Sequence, residues 1–384
     1  MNSRIYTALF AVSILVVSGS KAQQLPLNGT NQEAENMATS LKSFAPGTIW
    51  PDNNGVHINA HGGGILLHGK KYYWYGEHKI EGDAGNKAEV GVHCYSSSDL
   101  YNWKDEGIAL RVSDDTASDI RKGCILERPK VVYNPHTKKY VMWFHLELFG
   151  KGYKAARTGL AVADKPAGPF TFVKSYRPNA GMIPFSPDVS GKNEQVNCRI
   201  PTNKSDSFFC RDLPGGQMAR DMTVFVDDDG KAYHVFASEE NHTLHIAELT
   251  NDFMGHTGKF IRVYIGHQTE APAVFKKDGK YFMIGSGCTG WKPNAARWFS
   301  SNSIWGPWTY EGNPCLGPDA GLTYGGQSTY VLPVAGKKDA FIFMADKWVP
   351  NNAIDGRYLW LPIIFKNNKP EINWQDKWDL SVFN

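Results

Sequence analysis

The feature that most constrains this chain is a hairpin unit that recurs five times. Each copy opens with a polar residue beside Gly, Pro or Met, continues as a short apolar strand, turns, and returns as an aromatic-rich strand. The copies begin at His61, Glu127, Arg220, Glu270 and Gly325. Asp229-Gly230 and Asp278-Gly279 are turn dipeptides that hairpins prefer. A repeat of this kind indicates equivalent units that pack against one another.

A second element follows four of the hairpins and adds one or two strands after a polar turn. Units of about four strands, each roughly 50 to 65 residues long, predict an all-β fold, a five-bladed β-propeller in a single domain. The propeller is expected over residues 49–384, after a signal peptide over 1–22 and a leader over 23–48. Residues 176–218 are interpreted as a surface insertion beside the mouth of the channel.

The N-terminal residues resemble a secretory signal, with Arg4, an apolar run from Ala8 to Val17 and small residues before Gln23. Since that run is too short to span a bilayer, the sequence predicts a secreted or periplasmic protein without membrane insertion. Exported proteins form disulfides. Of the six Cys, Cys198 and Cys210 are the favoured pair because they bracket a polar segment of the insertion.

Composition narrows the classes of partner. Lys and Arg number 41 against 38 Asp and Glu, so no charge excess attracts nucleic acid or an anionic membrane. Aromatic residues make up 13% of the chain; most of them fill a β core, but their rings also suit stacking on sugars. CxxC, HExxH and EF-hand patterns are absent, so we expect no required cofactor. A structural calcium ion in the channel is compatible with the sequence. The protein is expected to be a monomer.

Residues 59–76, NAHGGGILLHGKKYYWYG, admit three interpretations. Gly64 to Lys70 falls one residue short of a P-loop, and HGGG resembles the oxyanion segment of lipases. A P-loop needs Ser or Thr next and then a helix, but Lys71 and a strand pattern follow; a lipase needs a G-x-S-x-G elbow that the chain lacks. We therefore assign the stretch to the first strand pair of blade one, whose glycines would leave room for a sugar.

Equivalent positions in a propeller meet around one channel, because its inner strands all point the same way. The aligned openings are His61, Glu127, Asp221, Glu270 and Gln327. Any one of the three carboxylates could simply pair with a neighbouring Arg, but their alignment favours a site. Two ionised carboxylates disfavour a third, so one should keep its proton near neutral pH. Glycoside cleavage requires such an acid to protonate the leaving oxygen, and a second group to activate water or attack the sugar.

These openings, the segments RDMTVFVDDDGKAY and EAPAVFKKDGKYF, and the blade count resemble glycoside hydrolase family 43 over residues 50–384. The resemblance implies a five-bladed propeller and an inverting mechanism. It assigns Glu270 as the acid and Asp221 as the residue that tunes the acid and orients substrate. Where the family usually has Ala-Asp-Pro in blade one, this chain has Ala60-His61-Gly62, so the expected base Asp is missing.

Within the family, AHGGGIL, ERPKV and GGQS resemble the exo-β-1,3-galactanases. Those enzymes also lack the first-blade Asp, and a Gln of the last blade is considered to hold the attacking water. One version of that mechanism has the side chain of this Gln in its imidic acid tautomer. Gln327 matches this Gln, and Glu127 matches a Glu that binds substrate near the cleavage point. The further candidates for sugar contacts are Glu77, Asn241 and Thr289. His61 either contacts substrate or fills space.

The resemblance implies an exo-acting enzyme that cleaves β-1,3-galactan, such as the arabinogalactan backbone, and releases galactose. Two alternatives stay open. One is a non-catalytic galactan-binding propeller, which the missing base suggests, although Glu270 and Gln327 favour catalysis. The other is an arabinofuranosidase or xylosidase of the same family; those activities normally use the missing Asp as base.

Overall fold

The computed structural model describes residues 40–185 and 196–384. Its strands form five sheets, in each of which four consecutive strands pair antiparallel. The five-bladed, single-domain propeller that the repeat predicts is confirmed. The signal peptide predicted over 1–22 lies outside the described residues, as does the leader up to residue 39. No helix in the described part of the chain is long and apolar enough to cross a membrane.

The elements follow one another blade by blade. Blade one contains β1 (His61–His68), β2 (Lys71–His78), β3 (Gly91–Ser97) and β4 (Lys104–Arg111). Blade two contains β5 (Ile125–Asn134), β6 (Lys139–Glu147), β7 (Arg157–Ala163) and β8 (Thr171–Tyr176). Helix α1 (Lys204–Asp212) precedes blade three, which contains β9 (Met222–Val226), β10 (Ala232–Ser238), β11 (Thr243–Leu249) and β12 (His256–Val263).

The last two blades complete the ring. Blade four contains β13 (Thr269–Lys277), β14 (Lys280–Gly287), β15 (Ala296–Ser301) and β16 (Thr309–Gly312). Blade five contains β17 (Cys315–Leu316), β18 (Gln327–Pro333), β19 (Phe341–Lys347), β20 (Arg357–Lys366) and β21 (Lys369–Asn373), with β17 parallel to β21. Short 3-10 helices occupy Asp83–Asn86, Gly152–Lys154, Ala320–Gly325, Ala353–Asp355 and Leu380–Phe383.

The inner strands β1, β5, β9, β13 and β18 contact one another in that order, and β18 contacts β1. Buried apolar side chains fill each gap between neighbouring blades. Trp74 and Trp360, for example, join blades one and five with their ring centroids 4.8 Å apart. Because every blade packs on two others, the starts of the inner strands are fixed around one channel.

Local turn chemistry explains how the hairpins form. Asp278 and Gly279 connect β13 to β14 with φ of 49° and 76°, and Lys277 pairs with Lys280 across the turn. Two positive φ values characterise the type I′ turn, which Asp-Gly favours and whose twist matches that of the strands. The hairpin predicted at this dipeptide is therefore present.

Two segments outside the strands complete the fold. Phe44, within the predicted leader, exchanges two backbone hydrogen bonds with Trp378 (2.7 and 3.1 Å), which joins the region before blade one to the region after blade five. The insertion contains helix α1, whose Phe209 is fully buried. The predicted Cys198–Cys210 disulfide is present. Residues 186–195 of the insertion lie outside the described residues.

Candidate active site

Four of the five inner strands have a β-bulge where their polar residues begin. The register shifts lie between His61 and Gly64, Glu127 and Lys130, Glu270 and Ala273, and Ser328 and Tyr330. A bulge redirects the side chains of its strand. Backbone φ is 57° at Arg128, so Glu127 and Arg128 both line the channel mouth instead of alternating between two faces.

A cavity of about 230 Å³ opens at this end of the channel. All five blades contribute to its walls. The lining residues are Glu77, Asn86, Glu127, Arg128, His145, Tyr153, Arg220, Asp221, Asn241, Glu270, Gly290, Trp291, Gln327 and Trp348. Four of the five aligned openings therefore meet here; His61 does not.

Glu270 is the carboxyl whose surroundings suit it to act as an acid. Burial, and then the negative charge of Asp221, raise the pKa of Glu270 to about 7. Arg128, the Cys288 thiol and the Gln327 amide act in the opposite direction without reversing the shift. At neutral pH a large fraction of this carboxyl keeps its proton, as protonation of a leaving oxygen requires.

Arg128 connects the groups at the cavity floor. Its Nη2 donates to Gln327 Oε1 at 2.5 Å and lies 3.0 Å from Asp221 Oδ2. Nη1 donates to the carbonyl of Ser328 at 2.8 Å, and the backbone N–H donates to Glu77 Oε1 at 2.9 Å. The buried guanidinium thus fixes Asp221 of blade three and Gln327 of blade five relative to one another, and the backbone N–H of the same residue fixes Glu77 of blade one.

The Gln327 amide is fully engaged. Nε2 donates to Glu270 Oε1 at 2.9 Å and to Ser286 Oγ at 3.0 Å. Oε1 accepts from Arg128 and, at 3.3 Å, from Trp348 Nε1. Since Arg and Trp side chains only donate, a proton on Oε1 would find no acceptor in these two groups, and the surroundings fit the amide tautomer.

Glu127 has the opposite character to Glu270. Burial alone would raise its pKa, but His145 and Tyr153 are among the groups that lower it to about 2. His145 Nδ1 lies 2.9 Å from Glu127 Oε2, and Tyr153 donates to Oε1 at 2.7 Å. The other nitrogen of His145 contacts Glu147 at 2.9 Å. Glu127 is therefore an ionised acceptor with a fixed orientation.

This cluster does not have the character of a metal centre. Glu127, His145 and Asp221 each bring a potential ligand atom within 4.8 Å of the others. Burial would lower the pKa of His145, but its contacts with two carboxylates raise it to about 9, so a metal at this imidazole would have to displace a proton. Calcium also requires six to eight oxygen ligands, whereas Asp221 is paired with Arg128. The residues here do not fit the structural calcium considered from the sequence.

Two of the additional predicted sugar contacts line the cavity. Asn241 Nδ2 donates to Glu270 Oε2 at 3.2 Å, while its own Oδ1 is buried without a partner among the described residues. Glu77 lies in the wall but is paired with Lys79 at 2.5 Å. Thr289 does not line the cavity: its hydroxyl donates to the carbonyl of Lys292 within its own loop.

His61 and the glycines after it differ from what the sequence led us to expect. His61 is fully buried, packs against Tyr358 and does not line the cavity, so of its two predicted roles the packing fits space filling. A Cβ on Gly62 would lie 2.1 Å from Glu77 Oε1, and one on Gly64 would lie 2.5 Å from Lys130 Cδ. These glycines make room for the protein's own side chains, so the expectation that they accommodate a sugar was wrong.

Several lining residues were missed from the sequence. They are Arg128, His145, Tyr153, Trp291 and Trp348. Arg128 follows an aligned opening directly, but a regular strand would direct it away from the channel. The two Trp residues follow the second strands of blades four and five, and an aromatic at that position in the repeat was the available signal.

A propeller channel whose mouth holds one readily protonated carboxyl beside ionised ones is a site of the glycoside hydrolase class. The profile described as "Glycosyl hydrolases family 43" matches residues 206–359. The β-1,3-galactosidase BT3683, solved with galactodeoxynojirimycin and named as GH43, is 52% identical over 88% of this chain and 100% of that chain, with a TM-score of 0.82. The chain therefore belongs to glycoside hydrolase family 43.

Other solved structures are also similar. Exo-β-1,3-galactanase Pc1,3Gal43A from Phanerochaete chrysosporium, solved as a variant with β-1,3-galactotriose, is 31% identical over 88% of this chain and 68% of that chain, with a TM-score of 0.73. The exo-β-1,3-galactanase 1,3Gal43A from Clostridium thermocellum is 34% identical over 87% and 66%, with a TM-score of 0.72. The comparison with curated proteins finds no match.

Proposed function

We propose that this enzyme is an exo-acting, inverting glycoside hydrolase that removes galactose from β-1,3-galactan. The observation that carries the proposal is that an amide, Gln327, contacts the acid Glu270 in a propeller whose first-blade opening is the buried His61. The names of the similar structures, a β-1,3-galactosidase and exo-β-1,3-galactanases, support the substrate class.

In this mechanism Glu270 protonates the glycosidic oxygen as the bond to the anomeric carbon breaks. Asp221 keeps the pKa of Glu270 near neutrality through its negative charge. Gln327, assisted by Glu127, positions the water that attacks from the opposite face and inverts the anomer. Inversion requires the water and the acid to lie on opposite faces of the sugar, so a bound sugar has to separate the Gln327 amide from Glu270, which are 2.9 Å apart.

The names of two similar structures, both exo-β-1,3-galactanases, support exo action. Beside the cavity, Lys130 is buried and donates to the carbonyls of Gly62 (2.9 Å) and Arg128 (3.3 Å), which holds blades one and two together. Trp291 and Trp348, with ring centroids 5.9 Å apart, offer apolar faces to sugar rings at the mouth.

Hydrolysis of β-1,3-galactobiose by the wild type and by Gln327→Ala tests the proposal. We expect galactose from the wild type, and a loss of about 10²-fold in kcat for the variant, comparable to removing one positioned polar group. Gln375→Ala, a polar position away from the cavity, is the control. Near wild-type turnover by Gln327→Ala would remove its assigned role.

Product analysis tests the reaction itself. Proton NMR of the first product should show the inverted anomer, and retention would overturn the mechanism. Incubation with arabinogalactan and with aryl arabinofuranosides and xylosides separates the substrate classes. Arabinose or xylose as the preferred product would exclude the galactanase function, and binding without any product would indicate a non-catalytic propeller.

We also propose that the enzyme is exported and acts as a monomer outside the cytoplasm. The Cys198–Cys210 disulfide supports export, since disulfides persist in oxidising compartments. N-terminal sequencing of the protein recovered from its native host should begin at Gln23. Recovery of a chain that begins at Met1 would contradict cleavage of a signal peptide.

A further inference from the structure

The hairpin turn that carries Asn241 has an unusual backbone. Between β10 and β11, Glu239, Glu240 and Asn241 have φ of 55°, 55° and 63°. Three consecutive non-glycine residues in the left-handed region persist only where surrounding groups fix them. This left-handed turn places the amide of Asn241 on Glu270.

Glu239 is fixed by a buried ion pair. It is fully buried, and Arg262 of β12 holds both of its oxygens, with Nε on Oε1 at 2.7 Å and Nη2 on Oε2 at 2.8 Å. The His245 ring contacts the same carboxylate at 2.8 Å. Because a bidentate pair fixes distance and plane together, it orients the turn at its first residue.

The remaining donor of Arg262 reaches the insertion. Nη1 donates to Asp206 Oδ1 at 2.8 Å, in the first turn of α1. Arg211, in the last turn of the same helix, lies 3.1 Å from Glu240. Phe209 of the same helix packs on Arg262, whose guanidinium lies 5.2 Å from its ring. Helix α1 thus contacts the left-handed turn both through Arg262 and directly.

We propose that Arg262 and Asp206 are positioning residues that hold the left-handed turn so that Asn241 stays on the acid Glu270. The insertion then contributes to the geometry of the active site, since its Asp206 supplies the carboxylate that orients Arg262. The proposal rests on the proposed function only in taking Glu270 as the acid.

Two variants test the proposal through different atoms. Arg262→Lys keeps the charge beside Glu239 but cannot make the bidentate contact. Asp206→Ala leaves the contact between Arg262 and Glu239 in place but removes the hydrogen bond between Arg262 and helix α1. Asp119→Ala is the matched control, because Asp119 pairs with Arg157 at 3.0 Å in another blade.

The first readout is the titration of the Glu270 carboxyl in the ligand-free enzyme. The titration is monitored by ¹³C NMR of the protein labelled at Glu, and the Glu270 signal is identified by its absence from Glu270→Gln. An N–H donor favours the ionised carboxylate, so loss of the Asn241 contact should move the midpoint about half a pH unit upward. The titratable or charged groups facing Glu270, namely Asp221, Arg128 and Cys288, are unchanged in these variants. An unmoved midpoint in Arg262→Lys and Asp206→Ala would overturn the proposal.

The second readout is kinetic. Both variants should lower kcat/KM on β-1,3-galactobiose about 10-fold, since small misplacements at a reacting centre are costly. In an Asn241→Ala background the same substitutions should have little further effect, because they act through that side chain. Full additivity would indicate a merely structural role. If the wild type cleaves no β-1,3-galactoside, the proposed function fails, while the NMR titration still decides the positioning role.

Discussion

The two ends of the channel are built from the same five strands but have opposite chemistry. At the mouth the inner strands present Glu127, Asp221, Glu270 and Gln327. Three or four residues further along, they line a second cavity with Ile65, Val131, Val224, Val274 and Val331. In four blades a β-bulge lies between the two sets. The bulges separate the polar part of each strand, which lines the proposed active site, from the apolar part, which packs between blades. Substitutions in one part should therefore change activity, and substitutions in the other should change stability.

The largest effect is expected at the mouth. Glu270→Gln keeps the shape of the acid but removes its proton, and kcat should fall about 10²- to 10⁴-fold, the usual contribution of general acid catalysis. The melting temperature should change little. Glu371→Gln, on β21 of blade five and outside the cavity lining, is the control. A Glu270→Gln variant with more than a tenth of wild-type kcat would contradict the acid role.

At the other end the order of effects should reverse. Ile65→Ala removes a side chain that is 5% exposed and packs between blades one and five, which should lower the free energy of unfolding by about 2 to 5 kcal/mol. Measured well below the melting temperature, kcat should stay within a factor of two. A parallel loss of kcat would show that the two ends of the strands are coupled.

A smaller effect concerns pH. Activity should fall as pH rises through the pKa of Glu270, about 7, because only the protonated form donates. Asp221 raises that pKa, so Asp221→Asn should lower it and move the basic limb of kcat/KM downward by about one pH unit. Asp119→Asn serves as the control. A limb that moves upward, or not at all, would remove the tuning role of Asp221.

The smallest effect is expected at the rim of the apolar end. Leu67 lies two residues beyond Ile65 on the same strand but is 42% exposed. Leu67→Lys should change the free energy of unfolding by less than about 0.5 kcal/mol and leave kcat unchanged. Urea titration beside Ile65→Ala measures the difference. Equal destabilisation by both variants would show that position on the strand outweighs burial.

How far the sequence predicted the site depended on the repeat. Glu127, Asp221, Glu270 and Gln327 occupy equivalent positions in successive units, and equivalent positions meet at the channel, so their convergence could be predicted without coordinates. The same argument failed at His61, because Gly356 lacks a side chain at the very place where the His61 ring packs. Alignment of the repeats shows which residues begin the inner strands, but it does not show which of those residues are buried by neighbouring segments.

Residues that depend on backbone irregularities could not be predicted. Arg128 points into the site because of a bulge and a positive φ, neither of which alternation of polar and apolar residues encodes. Asn241 was a candidate only through the resemblance, since its place depends on three left-handed residues. His145 reaches Glu127 across paired strands, and this contact follows from register that single-sequence periodicity does not determine.

The backbone pair between Phe44 and Trp378 has a consequence for chain connectivity. The backbone N–H of Leu41 donates a hydrogen bond to Asn102 Oδ1, and that of Leu380 donates one to the hydroxyl of Tyr101. Both ends of the described ring therefore lie beside the same loop of blade one. A circularly permuted chain, with a short linker from Asn384 to Ser40 and new termini opened at the exposed 228–230 turn, should close the same five-bladed ring. The order in which the blades are synthesised would then change while the channel and its chemistry stayed the same.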